Sequence, residues 1–209
     1  MVDSALFVIG LLLAGGKSRR MGGGDKCLRF LGGETILGRI VARVRPQVRR
    51  LVLNANGDPA RFADYGLPIV ADSVEGFAGP LAGVLAGLDW AAVSAPDCPW
   101  VASVPTDAPF LPADLVARLL SAVEDGADMA CAASGGQPHP VVGLWPVRLR
   151  DDLRRALTVE QIHKVDVWTA RYRLATVEVP IVDIDPFFNT NRPEDLAEAE
   201  RLLAGRRAG

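Results

Sequence analysis

The sequence predicts an α/β fold in which helices cover both faces of a mostly parallel central sheet, giving three layers. Length is the first observation, because 209 residues suffice for one domain with a sizeable core. Composition is the second, since 49% hydrophobic residues and a mean hydropathy of +0.19 are typical of compact proteins. The third is the alternation of strand-length apolar runs with amphipathic stretches of helical length.

Each element is predicted from this alternation, starting with a first apolar run that is typical of a buried strand. The expected strands are 6–13, 50–54, 68–71, 99–104, 127–133, 139–145 and 174–179. The expected helices are 35–45, 81–93, 113–124, 148–156, 160–170 and 193–204. We expect a single domain over 1–209, with its core at about 6–204 and a frayed tail at 205–209.

Charge and cysteine usage exclude several classes of partner. The net charge is −2, so the chain as a whole does not have the basic character of a nucleic-acid-binding protein. Cys27, Cys98 and Cys131 are far apart and lack metal-ligand spacing, which predicts thiols in a reducing cytoplasm. The first apolar run is too short to span a bilayer and follows Asp3 rather than cations, so neither a membrane partner nor secretion is expected.

The loop after the first strand predicts a binding site for a nucleoside triphosphate. Its glycines allow close approach of backbone N–H groups to a ligand, and they are Gly15, Gly16, Gly22, Gly23 and Gly24. Its cations supply charge for phosphate oxygens, and they are Lys17, Arg19, Arg20 and Lys26. The spacing matches neither a P-loop nor a dinucleotide fingerprint, because Asp25 and Cys27 flank Lys26 and the first two glycines are adjacent.

Polar residues also follow the next strands, and in a parallel sheet the carboxyl ends of the strands form the ligand site. Asp107 follows the strand 99–104, and a lone carboxylate beside a triphosphate is a usual way to hold Mg²⁺. The alternative is a helix cap, although Pro112 or Asp114 can serve that helix start. Asp72 is expected either in a turn or in ribose or base recognition, and Asn54 is open to both roles.

Three further segments carry weaker signals. Gly79 and Pro80 open a helix whose N-terminus could face a phosphate or a purine edge, or serve only as a helix start. Asn189 and Asn191 precede the last helix and are candidate second metal ligands near Asp107. The Gly- and Pro-rich stretch 134–140 is expected as a loop over the acceptor side of the site.

Taken together, these motifs resemble the molybdenum cofactor guanylyltransferases, a MobA-like family of nucleotidyltransferases. The resemblance covers about residues 6–204 and implies a Rossmann-like, GT-A-like fold. The motifs that carry it are Leu13-Ala14-Gly15-Gly16-Lys17-Ser18-Arg19-Arg20-Met21-Gly22 with Asp25-Lys26, Asn54-Ala55-Asn56, Gly79-Pro80-Leu81-Ala82-Gly83, Pro105-Thr106-Asp107-Ala108-Pro109-Phe110 and Phe188-Asn189-Thr190-Asn191-Arg192-Pro193-Glu194-Asp195-Leu196. One departure is the run Gly22 to Gly24, where many relatives carry a bulkier residue.

The resemblance implies transfer of GMP from GTP to molybdenum-molybdopterin, with Mg²⁺ as cofactor and pyrophosphate as the second product. Molybdoenzymes or other cofactor-biosynthesis proteins are the implied protein partners. Leu13, Ala14 and Gly15 match positions that line the guanine. Lys26, Asn54 and Asp72 match nucleotide-binding positions of the family, Asp107 matches its magnesium ligand, and Arg20 matches an arginine that binds the β- and γ-phosphates in the wider superfamily. The motifs also contain Gly16, Lys17 and Gly79, which are further expected nucleotide-binding residues. Arg20 and Lys17 are expected to hold the leaving pyrophosphate, and Lys26 the α-phosphate.

Three alternatives stay open at this point. A cytidylyltransferase for the same pterin shares most motifs, but glycine at Gly15 leaves more room for a purine. A non-catalytic adaptor that binds nucleotide and delivers the cofactor would need neither Asp107 nor the full set of cations. A sugar-phosphate nucleotidyltransferase is disfavoured by the short chain.

Overall fold

The computed structural model describes residues 7–14, 25–74, 76 and 79–208. Most of its main strands and helices lie where the sequence predicts them. The strands are β1 (Val8–Leu13), β2 (Phe30–Leu31), β3 (Glu34–Thr35), β4 (Arg50–Asn54), β5 (Ile69–Val70), β6 (Trp100–Pro105), β7 (Met129–Ser134), β8 (Gln137–Pro146) and β9 (Leu174–Glu178). The α-helices are α1 (Ile36–Val44), α2 (Pro80–Ser94), α3 (Leu115–Glu124), α4 (Arg150–Thr158), α5 (Val165–Thr169) and α6 (Pro193–Ala208).

Across the described residues, the main sheet has seven strands in the order β5-β4-β1-β6-β8-β7-β9. β1 lies between β4 and β6 and pairs with both in parallel, with Leu13 in register with Asn54 and Pro105. β8 is the antiparallel strand and pairs with β6 on one side and β7 on the other. The carboxyl ends of β4, β1 and β6 therefore meet at one edge, as parallel pairing requires.

Helices cover both faces of this sheet, which confirms the predicted three layers. Val8 and Leu12 of β1 point into a core that also contains residues of α1, α3 and α6. Ile9 and Leu11 point the other way, into a core shared with α2, α4 and α5. β1 is buried almost throughout because its side chains alternate between two apolar layers, and this explains the continuous apolar run in the sequence.

Two predicted segments differ from the structure. The predicted helix 160–170 is wrong in its first half, because Gln161 has a left-handed φ of 58° and the helix forms only at Val165–Thr169. The predicted loop 134–140 is instead a tight hairpin between β7 and β8, turned by Gly135 and Gly136 with φ of 55° and 75°. The last helix also continues beyond its predicted end at 204, to Ala208.

Candidate functional site

The candidate site is built where β1, β4 and β6 end. The Ala14 N–H donates to the Asn54 carbonyl at 2.9 Å, which ties β1 to β4. The Thr106 N–H and hydroxyl both donate to the Leu13 carbonyl, at 3.2 and 3.1 Å, which ties β1 to the residues after β6. The Leu13 carbonyl and the Ala14 N–H are thus occupied by hydrogen bonds to neighbouring strand ends. These bonds fix the positions of the ends of β1, β4 and β6 relative to one another.

A carboxylate lies beside this edge, held by two asparagine amides. Asn54 is buried and donates from Nδ2 to Asp72 Oδ1 at 3.0 Å and to the Val70 carbonyl at 3.2 Å. Asn56 donates from Nδ2 to Asp72 Oδ2 at 2.8 Å and accepts from the Asp72 N–H at 2.9 Å. Each carboxylate oxygen keeps lone-pair capacity beyond one amide, so Asp72 is a pre-oriented acceptor for ligand N–H or O–H groups.

The N-terminus of α2 packs directly on the same residues. Gly79 precedes the helix in extended conformation, and Pro80 occupies its first position. A Cβ on Gly83 would lie 2.5 Å from Asn54 Oδ1 and 2.7 Å from Leu13 Cδ2, so only glycine allows this approach. The close packing brings the first turn of α2 to the ends of β1 and β4.

Asp107 carries the least satisfied polar group of the described residues. Among the buried side-chain oxygen and nitrogen atoms of the described residues, Asp107 Oδ1 is the one that has no hydrogen-bond partner. Burial raises the pKa of the Asp107 carboxyl, and the positive charge of Lys26 opposes that shift. A buried carboxylate oxygen with no protein donor, next to a cation, fits a site for a hard divalent ion, which prefers oxygen ligands.

The segment before α6 is attached to Asp107 through backbone groups. Thr190 is almost fully buried and donates to the Asp107 carbonyl from its N–H at 2.9 Å and from its hydroxyl at 3.0 Å. Asn191 accepts from Lys26 Nζ at 3.1 Å through Oδ1. The Asn191 and Arg192 N–H groups both donate to Asp195 Oδ2 at 2.8 Å, so the first turn of α6 fixes this loop.

The 3₁₀ turn Lys26–Leu28 is held in place by contacts of Asp25 and Cys27. Asp25 forms an ion pair with Arg61 at 3.2 Å, which connects this turn to the 3₁₀ helix Pro59–Tyr65. Cys27 is buried beside Thr106, and burial raises the pKa of its thiol to about 11. Cys27 therefore stays protonated near neutral pH and contributes packing rather than nucleophilic chemistry.

The structure brings the predicted residues together in two groups. Leu13, Ala14, Asn54 and Asp72 are linked by hydrogen bonds, and Gly83 joins α2, which starts after Gly79, to that group. Lys26, Asp107 and Asn191 form the second group, and Asn189 lines the same cavity as Asp107. The predictions for Gly15, Gly16, Lys17, Arg19, Arg20 and Gly22 to Gly24 lie outside the described residues.

The helix-cap alternative for Asp107 does not apply, because α3 begins at Leu115 with Asp114 as its cap residue. The Val116 N–H in that first turn donates to Gln47 Oε1 at 3.0 Å. Sequence reasoning assigned no role to Thr106 and Thr190, which hold the two edges of the site. The sequence marked these two threonines only by their position inside the two polar motifs. A hydrogen bond from a hydroxyl to a distant carbonyl produces no periodic pattern in the sequence from which it could be predicted.

Comparison with known proteins gives the family. The family described as "MobA-like NTP transferase domain" matches residues 10–173. A protein of a Bradyrhizobium species named molybdenum cofactor guanylyltransferase is 63% identical over 198 residues, covering 94% of this chain and 93% of that protein. The chain belongs to this family. A second molybdenum cofactor guanylyltransferase, from Rhodopseudomonas palustris, is 60% identical and covers 92% of both chains.

Solved structures show that this MobA-like chain shares a widely used fold. A molybdopterin-guanine dinucleotide biosynthesis protein A from Archaeoglobus fulgidus superposes with a TM-score of 0.73 at 22% identity, covering 94% of this chain and 99% of the other. A 4-diphosphocytidyl-2C-methyl-D-erythritol synthase from Anaerococcus prevotii gives 0.72 at 12% identity, with 97% and 98% coverage. At such identities the likeness concerns the nucleotidyltransferase fold alone. None of the helices in the described part of the chain is both long and apolar enough to cross a membrane.

Proposed function

We propose that this chain transfers GMP from GTP to the terminal phosphate of molybdenum-molybdopterin, forming molybdopterin guanine dinucleotide and pyrophosphate. Relatives that are 63% and 60% identical over nearly the whole chain carry the name molybdenum cofactor guanylyltransferase. The single structural observation that carries the proposal is the environment of the Asp107 carboxylate. Its unpartnered buried oxygen lies near the Lys26 charge, at the sheet edge where ligands bind in such folds.

Magnesium is the proposed cofactor, held by Asp107 with Asn189 as the better placed second ligand. Asn189 lines the same cavity as Asp107, whereas Asn191 Oδ1 already accepts from Lys26. Within the described residues no group of three or more His, Cys, Asp and Glu side chains could hold a metal. A site with one carboxylate suits Mg²⁺, which keeps several waters and binds phosphates. Such an ion neutralises charge on the phosphate oxygens of the substrate.

GTP is proposed to lie across the ends of β1 and β4, with its base on the backbone of Leu13, Ala14 and Gly15. Because the Leu13 carbonyl and the Ala14 N–H are engaged in the sheet, directional contacts to base or ribose fall to other groups. Asp72, oriented by Asn54 and Asn56, is the proposed acceptor. Gly16, Lys17 and Gly79 are proposed to surround the phosphates, as glycine-rich turns and helix N-termini do.

The proposed reaction is an in-line attack by an oxygen of the acceptor phosphate on the α-phosphorus of GTP. The acceptor phosphate is largely ionised near neutral pH, so no general base or covalent intermediate is required. Lys26 is proposed to stabilise charge at the α-phosphate, and Arg20 and Lys17 are proposed to hold the departing pyrophosphate. Catalysis then depends on positioning and charge stabilisation, as in other phosphoryl transfers.

Calorimetric titration with GTP, CTP and ATP in the presence of Mg²⁺ tests the nucleotide. Binding of GTP alone, lost in Asp107→Ala, supports the guanylyltransferase, whereas preference for CTP would assign the chain to cytidylyl transfer. Pyrophosphate release that requires both GTP and molybdenum-molybdopterin tests the chemistry. Tight GTP binding without any release would identify a nucleotide-binding adaptor instead.

The proposed setting is the cytoplasm, where the product would pass to molybdoenzymes or other cofactor-biosynthesis proteins. The three cysteine thiols are buried, and burial raises the pKa of the Cys131 thiol as it does that of Cys27. Free thiols that form no disulfide suit a reducing compartment. Neither nucleic acid nor a membrane is a proposed partner.

A further inference from the structure

The cavity that Asp107 and Asn189 line extends along the side of β6 that faces away from β1, towards β8. This cavity of about 250 Å³ lies between the end of β6, the first half of β8 and the segment 187–189. Asp107 and Asn189 line it together with the apolar side chains Pro138, Val142 and Phe187. Its volume is below the roughly 300–1,000 Å³ of pockets for drug-sized ligands, so it suits one compact part of a larger substrate.

His139 is the one histidine of this lining, and a hydrogen-bonded relay through the buried Ser134 holds its ring. Ser134 Oγ lies 2.8 Å from His139 Nε2 and 2.8 Å from Asp185 Oδ1. Ser134 is 2% exposed, and Asp185 Oδ1 also accepts from the Phe187 N–H at 2.9 Å. The His139 ring packs on the Phe187 ring, with 4.6 Å between centroids.

This relay selects one tautomer of His139. A hydroxyl has one proton, and an ionised carboxylate only accepts, so Ser134 donates to Asp185 and accepts from His139 Nε2–H. Burial lowers the pKa of His139, while Asp185 and Glu178 oppose that shift, and the net effect favours the neutral ring. Nδ1 then carries the lone pair, and it has no hydrogen-bond partner in the part of the chain that the structure describes.

We propose that this cavity binds the fused heterocycle of the acceptor and that His139 Nδ1 accepts a hydrogen bond from one of its ring N–H or amino groups. This inference rests on the proposed function, because it places the acceptor phosphate at Asp107 and the ring system beyond it. The apolar lining and the Phe187 ring suit a flat heterocycle. A neutral nitrogen lone pair beside Asp185 and Glu178 disfavours a phosphate at the His139 end.

Paired substitutions separate the two nitrogens of His139. An asparagine amide overlaps the Nδ1 position and a glutamine amide overlaps Nε2, so His139→Asn keeps the proposed contact and His139→Gln removes it. We expect His139→Gln to raise the KM for the acceptor about tenfold, the usual cost of one hydrogen bond to a ligand, while the Kd for GTP is unchanged. His139→Asn should stay within about threefold of the unaltered chain.

Ser134→Ala tests the relay, and Ser121→Ala on the exposed face of α3 is its control. Ser134→Ala should raise the KM for the acceptor with little change in kcat, and Ser121→Ala should change neither. Equal acceptor KM values in His139→Gln, His139→Asn and the unaltered chain would overturn the proposal. So would a parallel loss of GTP affinity in His139→Gln.

Imidazole ¹⁵N spectra supply a readout that does not require turnover. The free protein should show His139 protonated at Nε2, and 6-hydroxymethylpterin should shift its Nδ1 resonance in the direction of hydrogen-bond acceptance. Inorganic phosphate should leave Nδ1 unchanged. A shift with phosphate and none with the pterin would overturn the assignment. Failure of the unaltered chain to transfer GMP would refute the proposed function alone, because the pterin titration reports separately.

Discussion

At the residue scale, the buried carboxylate of Asp107 lowers the folding stability of the free protein in exchange for a ligand-binding group. Its Oδ1 is buried without a protein donor, and burial raises the pKa of the carboxyl above its ordinary value in an unfolded chain. A carboxyl with a raised pKa in the folded state holds its proton more tightly there. Its ionisation therefore costs stability as pH rises through the unfolded pKa, and the cost is complete above the folded pKa. At neutral pH the free protein bears this cost.

Asp107→Asn should therefore stabilise the metal-free protein by about 1 kcal/mol at pH 7, because the buried ionised oxygen is removed. The same change should abolish Mn²⁺ binding, with Mn²⁺ used as a spectroscopic probe for Mg²⁺. Urea unfolding and paramagnetic titration measure the two effects. As pH falls, protons compete with the metal for the Asp107 carboxylate. Because the pKa of Asp107 is raised, the metal affinity of the unaltered chain should begin to weaken at a higher pH than it would with an ordinary aspartate as ligand.

Asp114→Asn is a matched control, because Asp114 pairs with Arg118 on the surface and that pair lowers the pKa of its carboxyl. Its loss should leave Mn²⁺ binding intact and reduce stability slightly, by less than about 1 kcal/mol. Retained Mn²⁺ affinity in Asp107→Asn, or a clear loss of stability there, would contradict the assignment of Asp107 as the metal ligand.

Lys26 is positioned between two partners that lie far apart in sequence. It donates to Asn191 Oδ1, and its charge acts on Asp107. Lys26→Gln keeps a donor of similar reach but removes the charge. We expect turnover to fall about 100-fold while the Kd for GTP changes less than about threefold, because the charge is needed most when the α-phosphate reacts. Single-turnover rates and calorimetry separate these effects, and unchanged turnover would exclude a catalytic role for Lys26.

At the scale of elements, the predictions held where burial alone decides the structure. Apolar runs such as that of β1 predicted the strands because both faces of the sheet are covered. They were wrong where one backbone angle decides, as at Gln161 and at the Gly135–Gly136 turn. Hydrophobic periodicity cannot distinguish a loop from a two-residue hairpin when prolines and glycines occur in both.

The contact of α2 with the strand ends gives a prediction for a whole element. Gly83→Ala places a Cβ 2.5 Å from Asn54 Oδ1, and either α2 or the amide that orients Asp72 must move. We expect a loss of about 2 kcal/mol in the free energy of unfolding, as for other overpacked sites, together with weaker GTP binding. Denaturant unfolding and calorimetry measure both.

Gly205→Ala is the control, since Gly205 lies in α6 with nothing within 4 Å of an added Cβ. Alanine in an open helical position should stabilise the protein by about 0.5–1 kcal/mol and leave GTP binding unchanged. Similar effects of the two substitutions would show that helix propensity, not the approach of α2 to Asn54, governs position 83.

For the whole molecule, the site joins segments that are distant along the chain. Asp107 follows the fourth strand of the parallel half, whereas Thr190 and Asn191 come from just before the last helix. Strand-end positions predicted Asn54, Asp72 and Asp107, because parallel topology places them at one edge. The docking of the segment 189–191 on Asp107 could not be read from spacing, since it depends on hydroxyl and amide contacts across more than eighty residues. His139 was not singled out, because the sequence predicts a loop over 134–140, whereas its contact with Ser134 depends on the hairpin that forms there.

If one domain spans 1–209, ligand binding at this composite site should stabilise the whole chain in one step. GTP with Mg²⁺ at about 100 times its Kd should add about 2.7 kcal/mol, because it binds the folded state only. For a chain of this size that corresponds to a rise in Tm of about 5–10 °C. Scanning calorimetry should show one transition that moves as a unit, and Asp107→Asn should lose the metal-dependent part of the shift. Two transitions, with only one displaced by GTP, would show that the segment carrying α6 unfolds independently and that the site is completed only when it docks.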